Sequence, residues 1–340
     1  MTMLMRSLQD FETPRLVPLR RGLYAASFHL MKLLPARFML EQAAQRGELS
    51  PGTTICESSS GTFGLALAML ATQQGYRLKL VSVWALDRHL HRRLRELGAD
   101  VEIVKDPAPE GGLQRARLNV LAEYLAANKQ TYWPAQYNNP DNPRAYGKFA
   151  AQLIDALGPI DCLVGPVGSG GSMSGTAKYL RVLFPEMIAI GVDTPNSVLF
   201  GQPSGRLDLS GLGGNILPGN VDHAQFDEIH WLTPGETFQA THDLHHGQGL
   251  FMGPTSGAAY RVADWWSRRN PGKTVVVIFP DEGHRYVETV YDADWLKSKV
   301  GDTRTPDEPI LVASPALSMS SWSRYPWNRR SLVEVLAAGT

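Results

Sequence analysis

Cys162-Leu163-Val164-Gly165-Pro166-Val167-Gly168-Ser169-Gly170-Gly171-Ser172 is an apolar run of strand character that stops in a turn of glycine and serine, and Ala177-Lys178-Tyr179-Leu180 beyond it is helical in composition. A strand that feeds a helix through such a turn is half of a βα unit. The same grammar occurs upstream, where Thr53 to Glu57 leads through Ser58-Ser59-Ser60-Gly61-Thr62-Phe63-Gly64 into the helical stretch Leu65 to Gln73. Further apolar runs rich in β-branched residues span Leu78 to Val83, Val101 to Val104, Ile188 to Val192 and Thr274 to Phe279, with helix-length segments between them. Met39 to Arg46 and His89 to Leu97 read as helices, the second ended by Gly98. This alternation predicts an α/β protein with a parallel, doubly wound sheet, and the two glycine-serine turns predict two α/β lobes that meet at a cleft.

The chain has 340 residues, more than one small core requires. With 43% hydrophobic and 19% charged residues and a mean hydropathy of -0.19, it is neither disordered nor fibrous. Lys plus Arg and Asp plus Glu both number 33, so the balance gives no support for broad electrostatic binding to nucleic acid or anionic lipid. Cys56 and Cys162 stand outside any CxxC and cannot form a disulfide framework, which favours a reducing compartment without structural zinc. The start, MTMLMRSLQDFETP, lacks an apolar segment followed by a cleavage site, and no apolar stretch approaches the roughly 18 residues of a membrane span. The expected location is cytoplasmic. Asn138-Asn139-Pro140-Asp141-Asn142-Pro143 must break regular structure and marks a lobe boundary. The tail after Val300, rich in Pro, Ser, Trp and Arg and without clear period until Ser331 to Ala338, reads as an appendage.

Several constellations carry chemistry, each with a bland alternative. In Gly168 to Ser172, glycines let N–H groups curl round an anion while the helix start adds positive potential, so phosphate is the natural guest; a tight turn without ligand has the same sequence. Neither a P-loop nor GxGxxG is completed there. Ser58 to Thr62 offers hydroxyls and a glycine at another helix start, suited to a carboxylate or simply to an N-cap. Lys32 stands in the apolar stretch Ser27-Phe28-His29-Leu30-Met31-Lys32-Leu33-Leu34-Pro35, where desolvation would lower its pKa and make it a nucleophile, although such lysines also snorkel to solvent. Thr255 in Met252-Gly253-Pro254-Thr255-Ser256-Gly257 caps a helix or presents its hydroxyl to a ring nitrogen. Phe279-Pro280-Asp281-Glu282-Gly283-His284-Arg285-Tyr286 ends a strand with polar groups, as active-site strands and solvated turns both do. The histidines, including His242 and His245 at helical i,i+3 spacing, lack a carboxylate ligand cluster, so no metal site is expected. No G-x-S-x-G elbow is present.

Taken in order, lysine, Ser-Ser-Gly turn, Gln-Tyr-Asn-Asn-Pro-Asp-Asn-Pro, glycine-rich turn, Thr-Ser-Gly and Phe-Pro-Asp-Glu-Gly-His-Arg-Tyr, the chain from Thr13 to Trp295 resembles the cysteine synthase and cystathionine β-synthase family of fold type II pyridoxal phosphate enzymes. Within it, ESSSGT, GVDTPNSVLFGQP and DEIHW resemble the branch that makes S-sulfocysteine. The resemblance implies two lobes with open, twisted, mostly parallel sheets and the cofactor between them. Residues 1–34 with 146–300 would form the larger cofactor-binding lobe, 35–145 a smaller mobile substrate lobe, and 301–340 the appendage. It also implies a homodimer, small-molecule substrates, and neither nucleic acid nor membrane as partner.

Carried over by motif, the resemblance implies that Lys32, matching the lysine of K-x-x-x-A, holds pyridoxal 5'-phosphate through its amine. The family's Asn-Pro-x-Gly-Ser upstream is replaced by Ala26-Ser27-Phe28-His29-Leu30, and Asp-Arg downstream by Leu33-Leu34, while Glu41 to Gly47 supports the register. Ser59, Ser60, Gly61 and Phe63, with Gln136, fall on the loop that clasps the substrate carboxylate, and Thr62 replaces an asparagine that faces the cofactor. Gly168, Ser169, Gly170, Gly171 and Ser172 fall on the phosphate cradle, Thr255 on the hydroxyl beside the pyridine nitrogen, and Gly213 on the flexible loop Gly211-Leu212-Gly213-Gly214. The implied reaction replaces the β-substituent of O-acetylserine or O-phosphoserine with sulfide or thiosulfate, giving L-cysteine or S-sulfocysteine. Three alternatives remain: a cysteine desulfhydrase or diaminopropionate-type synthase on the same scaffold, a nicotinamide-dependent oxidoreductase suggested by Leu97-Gly98-Ala99-Asp100 before a strand, and a catalytically silent binding protein.

Overall fold

The computed structural model describes residues 8–84, 86–209, 211–300, 306–317 and 319–337; the expectations that touch residues 1–7, 301–305 and 338–340 lie outside the described residues. The strands are β1 (Arg15–Arg20), β2 (Leu23–Ser27), β3 (Thr54–Ser58), β4 (Arg77–Val83), β5 (Asp100–Val104), β6 (Thr131–Tyr132), β7 (Cys162–Pro166), β8 (Ile188–Asp193), β9 (Glu228–Trp231), β10 (Val275–Phe279), β11 (Ile310–Leu311) and β12 (Ser323–Pro326). They form a 4-stranded sheet, β5-β4-β3-β6, and an 8-stranded sheet, β1-β2-β10-β7-β8-β9-β12-β11. The smaller sheet is parallel throughout. In the larger one β2, β10, β7, β8 and β9 run parallel, while β1 and β12 pair antiparallel with their neighbours β2 and β9. The fold is α/β with mostly parallel sheets, as the strand-helix alternation predicts.

Helices cover both faces of each sheet, which is why the central strands read as unbroken apolar runs rather than alternating ones. All five residues of β7 and of β10 are buried. Within β10 the side chains divide by parity, as a pleated strand requires. Val276 and Ile278 join the core under the helices Gly147–Leu157 and Gly171–Leu180, while Val275, Val277 and Phe279 join the core under Pro234–Gln248 and Pro254–Arg269. In the smaller sheet Ile55 packs toward the helices Leu33–Gln45 and Thr62–Gln74, and Cys56 toward Gly112–Ala127.

The structure differs from the sequence reading in several places, β6 and β9 being among the strands it adds. The hairpin β1–β2 was not anticipated; its turn holds Gly22 at φ +80, where a Cβ would stand 2.6 Å from the Lys273 carbonyl oxygen. The helix expected from Met39 begins at Leu33, because Pro35 sits in its first turn, where a missing N–H costs no hydrogen bond. The tail expected to be an appendage contributes, over its described residues, to the larger sheet. Strand β12 pairs along β9, and Trp322 and Trp327 on either side of it are fully buried. Residues 323, 325 and 327 face inward and 324 and 326 less so, a period-2 pattern that Ser and Pro disguise in the sequence.

Candidate active site

The carboxyl ends of β3 in one sheet and of β2, β7 and β10 in the other converge on one cleft, with about 950 Å³ of empty space between its walls, part of it open to solvent. Ligands of open α/β sheets bind at such edges. Lys32 is on its floor, between the end of β2 and the first residue of the helix Leu33–Gln45. Its loop is fastened to the exit of β10: Phe28 N–H donates to the Phe279 carbonyl (2.9 Å), Met31 N–H to the Pro280 carbonyl (2.8 Å), and Leu30 bridges Asp281. Burial lowers the Lys32 pKa to about 8, and the helix N-terminus beside it disfavours the ammonium further. Lys32 Nζ donates to Ser169 Oγ at 3.2 Å and has no ion pair among the described residues.

One wall is the turn after β3. Ser59 Oγ accepts from the N–H of Gly64 at 2.9 Å and of Gly61 at 3.4 Å, so this serine, two residues before the N-cap Gly61, ties the turn to the first turn of the helix Thr62–Gln74 while also lining the cleft. Ser60, Gly61, Thr62 and Phe63 line it too, and the N–H groups of Ser60, Thr62 and Phe63 have no acceptor among the described residues. Behind them lies Glu57, fully buried, whose carboxylate accepts from the N–H groups of Ser58 (2.7 Å) and Gln136 (3.1 Å) and from Trp133 Nε1 (3.2 Å). Burial raises its pKa to about 7, against the pull of those three donors. The Gln136 side chain donates to the Ser58 carbonyl at 3.0 Å, which ties the two segments of this wall together.

The opposite wall is the turn after β7. Gly168, Ser169 and Ser172 line the cleft, and the N–H groups of Gly168 to Ser172 have no acceptor among the described residues. Gly170 and Gly171 do not line it; their Cα faces turn away onto Asn220 and Asn142. Gly170 has φ +84 and a Cβ there would lie 2.6 Å from the Asn220 carbonyl oxygen, while a Cβ on Gly171 would overlap the Asn142 side chain. Thr255, nearly buried at the start of the helix Pro254–Arg269, and Gly213 complete this side. Gly213 N–H donates to the Val167 carbonyl at 2.9 Å, and Gly214 N–H to Ser197 Oγ at 3.1 Å, so the glycine loop rests on the strand-turn unit and on Asp193, whose pKa burial raises to about 7.

The end of β10 supplies a third wall, Pro280, Asp281, Arg285 and Tyr286, whose sequence reads equally as a solvated turn. Tyr286 OH donates to Asp281 Oδ2 at 2.9 Å. Sequence reasoning missed Gln114 and Tyr137, which also line the cleft. Tyr137 adjoins Gln136 and was within reach of that motif. Gln114 was not: it stands near the start of the helix Gly112–Ala127, and its Oε1 accepts from Asn215 N–H (3.0 Å) across the cleft.

Comparison with known proteins fits this geometry. The family model described as pyridoxal-phosphate dependent enzyme matches residues 28–281. The N-(2-amino-2-carboxyethyl)-L-glutamate synthase of Cupriavidus metallidurans is 33% identical over 290 residues, 84% of each chain. Two solved structures superpose with a TM-score of 0.77 at 26% identity: a hydrogen sulfide-producing enzyme from Fusobacterium nucleatum, covering 83% of this chain and 100% of that one, and an O-acetylserine dependent cystathionine β-synthase from Helicobacter pylori, covering 85% and 99%.

Proposed function

The chain belongs to the pyridoxal-phosphate dependent enzymes, as a fold type II β-replacement enzyme, and on that premise we propose that it replaces the β-substituent of an O-activated L-serine with the amine of an anionic amino acid, Lys32 moving the proton. The observation that carries this reading is the placement of Lys32 Nζ, 3.2 Å from Ser169 in the free-amide turn and in the same cleft as the free amides of Ser60 to Phe63.

The residues present fit the cofactor. The unpaired N–H groups of Gly168 to Ser172 at a helix start form a cradle for its phosphate. Asn142 and Asn220 press on Gly171 and Gly170 from the side away from the cleft and leave no room for a Cβ there, which keeps the backbone of the cradle in place. Lys32 offers an amine of lowered pKa, and Thr255 a neutral hydroxyl for the ring nitrogen. When bound, pyridoxal phosphate supplies the electron sink that acidifies the substrate α-proton. Ser59, Ser60, Gly61 and Phe63, with Gln136, would hold the substrate carboxylate, and Thr62 would line the cofactor's seat. Lys32 Nζ takes the α-proton and returns it after the exchange. Between those events the Cβ–O bond breaks with its electron pair on the leaving group, the amine nitrogen forms the Cβ–N bond, and the amine releases one proton. Gly213 and its loop, resting on Val167 and Ser197, screen the site from water.

Two observations favour the amine. The product in the name of the Cupriavidus relative is a 2-amino-2-carboxyethyl group on L-glutamate, a bond from nitrogen to a serine-type β-carbon. The cleft also holds Arg285, a cation that sulfide, lacking a carboxylate, leaves unused. The second reading, sulfide or thiosulfate as nucleophile, draws on the likeness to the hydrogen sulfide-producing enzyme and the O-acetylserine dependent synthase.

The test is the visible spectrum of purified holoprotein during addition of O-phospho-L-serine or O-acetyl-L-serine, then of L-glutamate or sulfide, with products identified by mass. A donor-induced change that L-glutamate reverses supports the amine reading. Reversal by sulfide alone transfers the assignment to cysteine formation, and no change with either donor refutes β-replacement on these substrates. Lys32→Ala should abolish both turnover and the absorbance of the bound cofactor.

A further inference from the structure

A second pocket opens beside the cleft, with about 650 Å³ of space, part of it open to solvent, and Asp281 and Arg285 are the wall that the two share. Its base is apolar, from Phe11, Leu30 and Leu65, and its rim carries Arg93 together with Glu282, which His29 and His284 flank.

Arg285 is built unlike a surface arginine. Its side chain is 18% exposed. Asp281 lies 3.6 Å from Nη1, and the guanidinium sits 5.4 Å from the ring centroid of Tyr286. Asp281 is itself nearly buried and accepts from Tyr286 OH at 2.9 Å, so the arginine is held by a fixed pair. Its Nε is buried, and its Nη1 and Nη2 make no hydrogen bond among the described residues, so these two are the donors left to a ligand. A planar cation held in place with donors unused matches a carboxylate, which accepts two parallel N–H bonds.

The other anion seats of the cleft are taken in the mechanism above: the turn Gly168 to Ser172 for phosphate, and Ser59 to Phe63 for the carboxylate of the serine donor. Arg285 stands on the remaining flank, beside the Lys32 loop, because Leu30 bridges Asp281 and Met31 bonds to Pro280.

We propose that Arg285 determines specificity for the nucleophile: it holds a carboxylate of the incoming amino acid, whose remaining chain lies in the side pocket over Phe11, Leu30 and Leu65. This rests on the β-replacement reading and names the co-substrate class, an amino acid that adds a carboxylate to its attacking amine.

Two measurements on holoprotein separate this inference from its premise. Calorimetry with L-glutamate reads the clamp directly. Arg285→Gln should weaken binding at least tenfold, the loss expected for a charged hydrogen-bonded pair, and Arg285→Lys should recover part of it. Equal binding by wild type and Arg285→Gln, or no binding by wild type, overturns the clamp. The donor-induced spectral change reads the premise, and Arg285→Gln should leave it and the donor KM within twofold of wild type, while the KM for L-glutamate rises. A raised donor KM with an unchanged L-glutamate KM would assign Arg285 to the leaving group and overturn the proposal.

Discussion

The turns after β3 and after β7 share one grammar, strand to glycine-serine turn to helix, yet they are held by opposite means. The first is held by side chains: Ser59 Oγ accepts two backbone N–H bonds, and the buried Glu57 carboxylate gathers three donors behind it. The second is held by close approach of backbone, with Gly168 against the Gly211 carbonyl and Gly170 against that of Asn220. A turn built on side chains is adjustable, since hydroxyl and carboxyl groups rotate and titrate. A turn built on backbone is fixed, and its N–H groups stay available to an anion that never changes from one turnover to the next. On the proposed assignment, the cofactor seat and the substrate seat therefore ask different things of similar sequences.

The contrast is sharpest for a methyl group added to the fixed turn. Gly170→Ala must accept φ +84 and a clash with backbone, and the two together should cost on the order of 4 kcal/mol, with cofactor retention lost on dialysis. Gly171→Ala meets a side chain instead, so Asn142→Ala in the same chain should restore much of its stability, whereas no side-chain truncation should rescue Gly170→Ala. Rescue of both would show that the two glycines are not distinguished by backbone.

Titration probes the adjustable turn. Glu57 has its folded pKa raised to about 7 from 4.5, so the folded state binds the extra proton and its contribution to stability falls as pH rises from about 4.5 to about 7. Denaturant unfolding at pH 5 and pH 8 should show a loss of up to about 3 kcal/mol from this group, and Glu57→Gln should flatten the slope. An unchanged slope would mean that the carboxylate is ionised throughout. The smallest effect is expected at Ser59→Ala, which removes the side-chain hydrogen bonds to Gly61 and Gly64 for about 1 kcal/mol and should raise the donor KM while leaving cofactor retention intact.

Much of this architecture was legible because β7, β8 and β10 are buried on both faces and leave unbroken apolar runs. β1 and β12 were not, since each is half exposed and interrupted by proline, Pro18 in the outermost β1 and Pro326 at the end of β12. The site divides the same way. Motifs with fixed spacing named Lys32, Ser59 to Phe63 and Gly168 to Ser172, but the purpose of Arg285 depends on what stands around it. A guanidinium seated between a buried carboxylate and a tyrosine ring is a fact of packing, and the residues Gly283-His284-Arg285 carry no sign of it.

The order of strands has a consequence for how the chain is made. The 4-stranded sheet is assembled wholly from residues 54–132, so it is complete once that stretch has left the ribosome. In the 8-stranded sheet, β2 waits for β10 at Val275–Phe279 and β9 for β12 at Ser323–Pro326. The smaller unit thus has its partners early, while the N-terminal hairpin emerges first and docks nearly last. Pairings of such sequence separation are slow to form. The exposed edge of β2 is the segment that a chaperone would have most reason to shield during synthesis.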